Sequence, residues 1–305
     1  MSASSFIAEL ERYGPQVKTT GVSLADAEAY CRRLATQHYE NFTVASGLLP
    51  RRLRQHFCNV YAYCRWADDL ADETDDPARS LELLDWWEAE LLACFAGRAT
   101  HPVFVALRRT IEEFALPPEP FRDLLVAFRR DQTQTRYATM ADLREYCRYS
   151  ANPVGRIVLH LGRCYSEETA ALSDENCTGL QLANHWQDVA RDYQRDRVYL
   201  PQEDLAAFGV HEADLELSRA GDSFRELMQY EVQQAEAYFN RGQTLVSSVS
   251  RELRLPVALF VGGGRAILQQ IRRQQFDVLA RRPRVSRGQK LRLLAAAWWQ
   301  TRGWR

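Results

Sequence analysis

Two stretches of this 305-residue chain carry side chains whose types and spacing suit metal-assisted chemistry on an anion. The first runs Tyr61-Ala-Tyr-Cys-Arg-Trp-Ala-Asp-Asp-Leu-Ala-Asp-Glu73, with Arg65, Asp68, Asp69 and Asp72 at i, i+3, i+4 and i+7. That spacing puts all four on one helical face. The second runs Leu180-Gln-Leu-Ala-Asn-His-Trp-Gln-Asp-Val-Ala-Arg-Asp-Tyr193 and places Asn184, Asp188 and Asp192 at i, i+4 and i+8. Like charges at i, i+4 oppose each other by about 0.2–0.5 kcal/mol even in water. Beside an apolar wall such as Phe57, Val60, Tyr61, Tyr63 and Trp66 the cost rises unless a cation intervenes. All-oxygen donors suit a hard dication, and Mg²⁺ keeps substrate phosphates in its shell. The expectation is a diphosphate clamped between two helices, with Asp68, Asp72, Asn184, Asp188 and Asp192 as metal ligands. Arg65 and Asn184 would orient metal and diphosphate. The chemistry is ionisation: the C–O bond opens to an allylic carbocation as the metal draws on the leaving diphosphate. Aromatic faces shelter such a cation by roughly 0.5–2 kcal/mol each. Either row taken alone reads as a solvated face, and it is their joint occurrence, with Arg65 and Asn184 in phase, that points to a metal–diphosphate site.

The elements that must position these rows are helices almost throughout. Apolar residues recur at i, i+3, i+4, and alternating strand-type runs are absent. Helices are expected at roughly 22–37, 50–74, 79–97, 101–115, 119–131, 139–149, 152–166, 172–194, 222–247, 254–275 and 287–300. Ser23 suits an N-cap, and Pro50, Pro102, Pro118 and Pro256 suit first helical positions. No Gly/Ser or Pro-rich linker divides the chain and no solenoid period appears. The expected architecture is one all-α domain over 1–305, with a structured core of about 22–300. It is a helical bundle whose central cavity holds a long apolar chain.

Composition narrows the function classes. Apolar residues make up 46% and charged residues 26%, as in a globular protein rather than a disordered one. A net charge of −1 argues against a nucleic-acid partner bound through bulk positive charge. Only Lys18 and Lys290 are lysines, so anions here would be read by forked guanidinium groups. The seven cysteines are odd in number and contain no C-x-x-C, which reads as buried thiols in a reducing compartment. The N-terminus lacks a basic, secretory-type start and no apolar run approaches a spanning length, so a cytoplasmic location is expected. Residues 281–305 hold eight basic residues, no acidic ones, and Trp298, Trp299 and Trp304. That tail suits peripheral contact with an anionic inner membrane, or a docked terminal helix with a solvated Arg face.

The combined pattern Arg65-x-x-Asp68-x-x-x-Asp72 with Asn184-x-x-x-Asp188-x-x-x-Asp192 resembles the squalene/phytoene synthases. The likeness runs from about Tyr39 to Lys290. It takes in the second aspartate-rich signature through Arg197-Val-Tyr-Leu-Pro201, and the central motif Tyr146-Cys147 to Ala151-Asn-Pro-Val-Gly155. The resemblance implies an isoprenoid-synthase-type bundle, Mg²⁺ as cofactor, and a role for Tyr146 near the cyclopropyl intermediate. It implies that Phe42 and Tyr146 line the cation's position. Three departures look like the C-type branch of bacterial hopanoid clusters. They are Glu40-Asn41-Phe42 for the usual Ser-Phe, Gln187 for the usual Arg before Asp188, and Ala151-Asn152-Pro153 for the usual Ala-Gly-x. That branch converts presqualene diphosphate to hydroxysqualene by water capture. A sister presqualene diphosphate synthase supplies its substrate and an oxidoreductase consumes its product. Head-to-head condensation of farnesyl or geranylgeranyl diphosphate is the alternative within the family. A cyclase or a catalytically silent helical scaffold stands outside it.

The residues themselves leave some roles open. Gln187 removes one positive charge, as suits a site for one diphosphate. Its amide holds a water or packs beside Asn184. Asn152 places a water or ends a helix before Pro153. Phe276 replaces a Tyr that many members carry. His185 reaches either site or core, and His38 precedes the departing Glu40-Asn41-Phe42 segment. Asp75 and Asp76 read as a solvated turn, and Arg191, Arg195 and Arg197 as diphosphate contacts or surface pairs. Gly262-Gly-Gly264 has no preceding strand and reads as close helix approach rather than a dinucleotide loop.

Overall fold

The apolar periodicity becomes helix after helix. In the computed structural model the described residues are 3–17, 20–37, 49–74 and 76–302. His38, Glu40, Asn41, Phe42, Asp75 and Trp304 lie outside them. Helices make up 74% of the chain, so the fold is all-α. The described residues hold no strand, only an isolated bridge between Arg136 and Val198. The chain divides into two compact units, Met1–Thr133 and Gln134–Arg305.

The first unit holds α1 (Ala3–Tyr13), α2 (Leu24–Gln37), α3 (Arg51–Asp72), α4 (Pro77–Phe95), α5 (Pro102–Phe114) and α6 (Glu119–Arg130). Its central helix is α3, which packs against α2, α4, α5 and α6. That position follows from its sequence: Leu53, Phe57, Val60, Tyr63, Trp66, Ala67 and Leu70 are all buried. Trp66 and Trp87 stack at 5.3 Å, and Phe104 lies 4.4 Å from Trp87. Two buried polar tips find backbone or side-chain partners. Tyr63 donates to the Phe121 carbonyl at 2.9 Å, and the Trp66 indole donates to Tyr30 at 2.9 Å. Side-chain caps stand at Ser23, as expected, and at His101, whereas Pro50 and Pro118 stand one residue before their helices. Ser23 accepts from Asp26 N at 3.2 Å, and His101 accepts from Val103 N at 3.2 Å just before Pro102. Asp76, expected as a plain turn, caps α4 by accepting from Ala78 N at 3.0 Å.

The second unit holds α7 (Met140–Ser150), α8 (Asn152–Leu161), α9 (Glu167–Tyr193), α10 (Gln202–Ala207) and a 3₁₀ turn (Glu212–Glu216). It continues with α11 (Asp222–Arg241), α12 (Leu245–Ser248), α13 (Arg251–Arg273) and α14 (Arg287–Arg302). Here α9 is central, packing against α7, α8, α11 and α13. Gly264 lets α13 come close: a methyl group there would sit 2.5 Å from Phe239 and 2.8 Å from Leu180. Of the glycine run, Gly264 is thus the packing position.

Several boundaries differ from expectation, among them the expected 152–166 helix, which ends at Leu161. The N-terminal helix α1 escapes the sequence reading. α9 starts at Glu167 because Ser166 and Thr169 form a reciprocal capping box. The expected 222–247 helix stops at Arg241, where the Gly242 carbonyl accepts from the Asn176 amide at 2.7 Å. Pro256 is not a first residue but lies inside α13, which begins at Arg251. Its ring forgoes one helical hydrogen bond near the helix start.

Candidate active site

The first acidic row is organised by a residue that carries no assigned role in the sequence reading. Asp69 is fully buried, and the Arg65 guanidinium bonds both its oxygens; Nε donates to Oδ2 at 3.0 Å and Nη2 to Oδ1. The remaining nitrogen of Arg65 reaches Asp68 at 3.1 Å. Arg65 is therefore committed to its own row. Asp68 is recessed yet still 45% solvent-exposed at its side chain. Burial, and then the neighbouring Asp72 and Asp69 carboxylates, push its carboxyl up to about 6 against the pull of Arg65. Asp72 lies exposed at the helix end.

The second row lies on the last turns of α9. Asn184 is exposed, while Asp188 and Asp192 are half-buried. Burial pushes the Asp192 carboxyl up to about 7, and the Asp188 charge adds to this. Arg197, Arg195 and Arg282 oppose it. Arg282, from the connection after α13, forks onto Asp188. Its Nε donates to Oδ1 at 2.5 Å and its Nη2 to Oδ2 at 2.7 Å. Gln187 is buried, and both ends of its amide are engaged. Nε2 donates to the Pro283 carbonyl at 2.6 Å, and Oε1 accepts from Arg282 at 3.1 Å. Nothing local predicts this, because Arg282 lies 94 residues from Asp188 within a uniformly basic tail.

Tyr146 belongs to an aromatic box beside this row. Its ring centroid is 5.3 Å from Tyr137, 5.8 Å from Tyr199 and 6.2 Å from His185. His185 and Tyr199 stack at 3.7 Å. Burial holds His185 down at about 3, so its imidazole is neutral. Its Nε2 is buried without a protein partner, and His185 and Asp192 line one cavity of about 10 Å³, the scale of a single water. His185 thus packs and also lines that cavity. Asn152 goes elsewhere. It starts α8, accepts from Thr178 at 3.2 Å, and lines a separate groove of about 310 Å³ with Arg144, Arg148 and Arg156. The structure does not bring it to Asn184, Asp188 and Asp192.

The donor set fits a hard dication. Asp68 with Asp72, and Asp188 with Asp192, are pairs of carboxylates in which burial and the neighbouring carboxylate charge hold one member up even against nearby arginines, a cost that a dication between the two would relieve. Among the described residues no three His, Cys, Asp or Glu side chains converge as a ready-made metal cage. Mg²⁺ needs only one or two protein carboxylates, with waters and phosphate oxygens filling the rest of its shell.

A sequence model of the squalene/phytoene synthases matches residues 35–289. The chain belongs to the squalene/phytoene synthase family. As a squalene/phytoene synthase it is an enzyme acting on prenyl diphosphates. It is 39% identical over 229 residues to the hydroxysqualene synthase of Rhodopseudomonas palustris, covering 74% of this chain and 76% of the relative. It is 33% identical over 295 residues to the phytoene synthase of Arthrospira platensis, covering 91% and 94%. The crystal structure of squalene synthase HpnC from Alicyclobacillus acidocaldarius matches with a TM-score of 0.79 at 48% identity, over 84% of this chain and 97% of that one. A dehydrosqualene synthase crystal structure matches with a TM-score of 0.83 at 29% identity, over 92% and 98%.

Proposed function

We propose that this synthase converts presqualene diphosphate and water to hydroxysqualene and diphosphate. The observation that carries the reading is the 39% identity to a hydroxysqualene synthase, joined to the departures at Gln187 and Asn152 that resemble that branch. In this reading Asp68 and Asp72 on α3, and Asn184, Asp188 and Asp192 on α9, hold Mg²⁺ for the diphosphate. When bound, the metal supplies charge neutralisation for the departing diphosphate. The substrate's C–O bond breaks with its electron pair leaving on diphosphate. Tyr146, backed by Tyr137 and Tyr199, presents π-faces to the carbocation. Water then adds through oxygen to the rearranged cation and loses a proton. Neutral His185 keeps a second positive charge out of the aromatic box. A presqualene diphosphate synthase would supply the substrate and a hydroxysqualene oxidoreductase would consume the product. The greasy substrate and product agree with peripheral membrane contact through α14, which exposes Leu291 and Trp299 beside Arg287, Lys290 and Arg292.

A second reading, head-to-head condensation of farnesyl or geranylgeranyl diphosphate, is favoured by the phytoene synthase matches that span more of the chain. Separate incubations with presqualene, farnesyl and geranylgeranyl diphosphates in ¹⁸O-water, read by mass spectrometry, decide between them. Hydroxysqualene carrying ¹⁸O from presqualene diphosphate is the expected product. Turnover of farnesyl or geranylgeranyl diphosphate with none from presqualene diphosphate overturns the first reading.

A further inference from the structure

A further pair of carboxyl groups belongs to neither acidic row. Glu231 on α11 is fully buried, and among the described residues no N–H reaches either oxygen of its carboxyl, nor the buried Oδ2 of Asp204 on α10. The two side chains are hydrogen-bonded to each other. Two carboxylates cannot make that bond, because neither carries a donor. An ionised Glu231 would also stand as an uncompensated charge in the core, at a cost of several kcal/mol. One proton on Glu231 removes both difficulties: its O–H donates to Asp204, and the pair carries a single negative charge. The direction follows from exposure, since Asp204 is the half-buried member and keeps contact with water. The groups around the pair supply no cation. Glu203, also on α10, adds negative charge, and its Oε1 accepts from Met140 N at 2.8 Å. Tyr230 on α11 is held up by burial and by the three neighbouring carboxyl groups. From α9 comes the uncharged Trp186 indole, which donates to the Glu231 carbonyl at 3.1 Å. On α13, Arg272 is bound to Glu236 at 2.7 Å and Arg265 to Asn240 at 2.9 Å. Beyond α10, Glu212 is paired with Arg136 at 3.0 Å.

Residues 197–207 form a strap that carries Tyr199 into the aromatic box, where it stacks on His185 at 3.7 Å and lies 5.8 Å from Tyr146. Backbone bonds hold one side of the strap. Val198 N donates to the Thr135 carbonyl at 2.8 Å, Gln202 N to Tyr137 at 2.9 Å and Glu203 N to Ala138 at 3.0 Å. Towards α11 the strap is held through Asp204 and Glu231. Glu231 in turn meets α9 through Trp186, the residue next to His185. One proton therefore closes a path from the strap, through α11, to the helix that carries the stacking partner of Tyr199. We propose that Glu231 and Asp204 share one proton in a carboxyl–carboxylate bond that fastens this strap, making them positioning residues for Tyr199 whichever prenyl diphosphate the enzyme turns over. Loss of that proton at alkaline pH leaves two adjacent negative charges, one of them in the core, and releases α10 from α11.

The test uses the full-length protein without substrate, so its outcome is separate from that of the product assay above. The infrared difference spectrum between wild type and Glu231→Gln at neutral pH is expected to show the carbonyl stretch of one protonated carboxylic acid, shifted in heavy water. A carboxylate band in its place would overturn the proposal, since a bound cation or an ionised core would then replace the proton. Pulse-labelled hydrogen exchange gives the second readout, as protection factors of the Gln202 and Glu203 amides. In wild type these are expected to fall about tenfold as pH rises from neutral through about 9, where Glu231 loses its proton. Asp204→Ala lowers them by a similar factor already at neutral pH. Glu231→Gln, whose amide N–H replaces the acid O–H, keeps wild-type protection at neutral pH and holds it on the alkaline side. Wild-type protection that stays constant through this range, or that falls equally in Glu231→Gln, would overturn the proposal. The wild-type pH series decides the matter if thermal melts show Asp204→Ala to be unfolded.

Discussion

Glu231 lies fully buried on α11, and its carboxyl is pushed up to about 9 by burial and by the neighbouring Asp204. The folded state thus keeps it protonated at neutral pH, while the unfolded chain ionises it near 4.5. Its raised value means that stability is fully present below the unfolded pKa and declines as pH rises toward the folded one. Between pH 4.5 and 7 that decline is on the order of 3 kcal/mol. Glu231→Gln is expected to match wild type near pH 4.5 and to melt progressively higher than wild type toward pH 9. Parallel pH profiles of melting temperature would contradict this. At the same scale, the site residues show what spacing alone conveys. It put Arg65, Asp68, Asp69 and Asp72 on one face, because a helix fixes the direction of each side chain. It could not say that Asp69 faces the core and takes the Arg65 fork, because that choice depends on which helices cover α3.

Among the elements, α9 and α13 show how a helix pair is set by one missing methyl group. Gly264 faces Phe239 and Leu180 at distances no side chain tolerates, whereas a methyl group at Gly263 meets nothing within 4 Å. Gly264→Ala is expected to lower unfolding free energy by about 1–3 kcal/mol through overpacking. Gly263→Ala should raise it by about 0.5–1 kcal/mol through helix propensity. Urea titrations of both variants check the contrast, and equal effects would show that α13 does not approach through Gly264. Most helices were legible from apolar period and caps. Those misjudged, such as the split after Arg241 and the early start of α9, turn on side-chain hydrogen bonds from Asn176 and Thr169, which hydrophobic periodicity does not record.

At the scale of the whole molecule, the near-neutral net charge conceals a basic end. α14 exposes Leu291 by 68% and Trp299 by 73%, but its apolar positions are spread around the helix rather than gathered on one face. Attachment to a bilayer would therefore be shallow and largely electrostatic. Vesicles rich in anionic lipid are expected to sediment the protein at low salt and release it at high salt, while zwitterionic vesicles leave it in solution. Equal partition to both would count against the basic tail as the contact. No helix among the described residues is long and apolar enough to cross a membrane.

The amino-acid sequence by itself determined the helical class, the family-wide pattern of two carboxylate rows and the all-oxygen chemistry they can support. These depend on residue type and on spacings of a few residues, which helix geometry converts directly into shared faces. Tertiary structure alone decided which of those groups are already partnered. Arg65 is spent on buried Asp69, Asn152 lies in a different groove, and Gln187 holds Arg282 on Asp188. Each of these depends on what packing brings against a face, and for Arg282 that neighbour comes from 94 residues away.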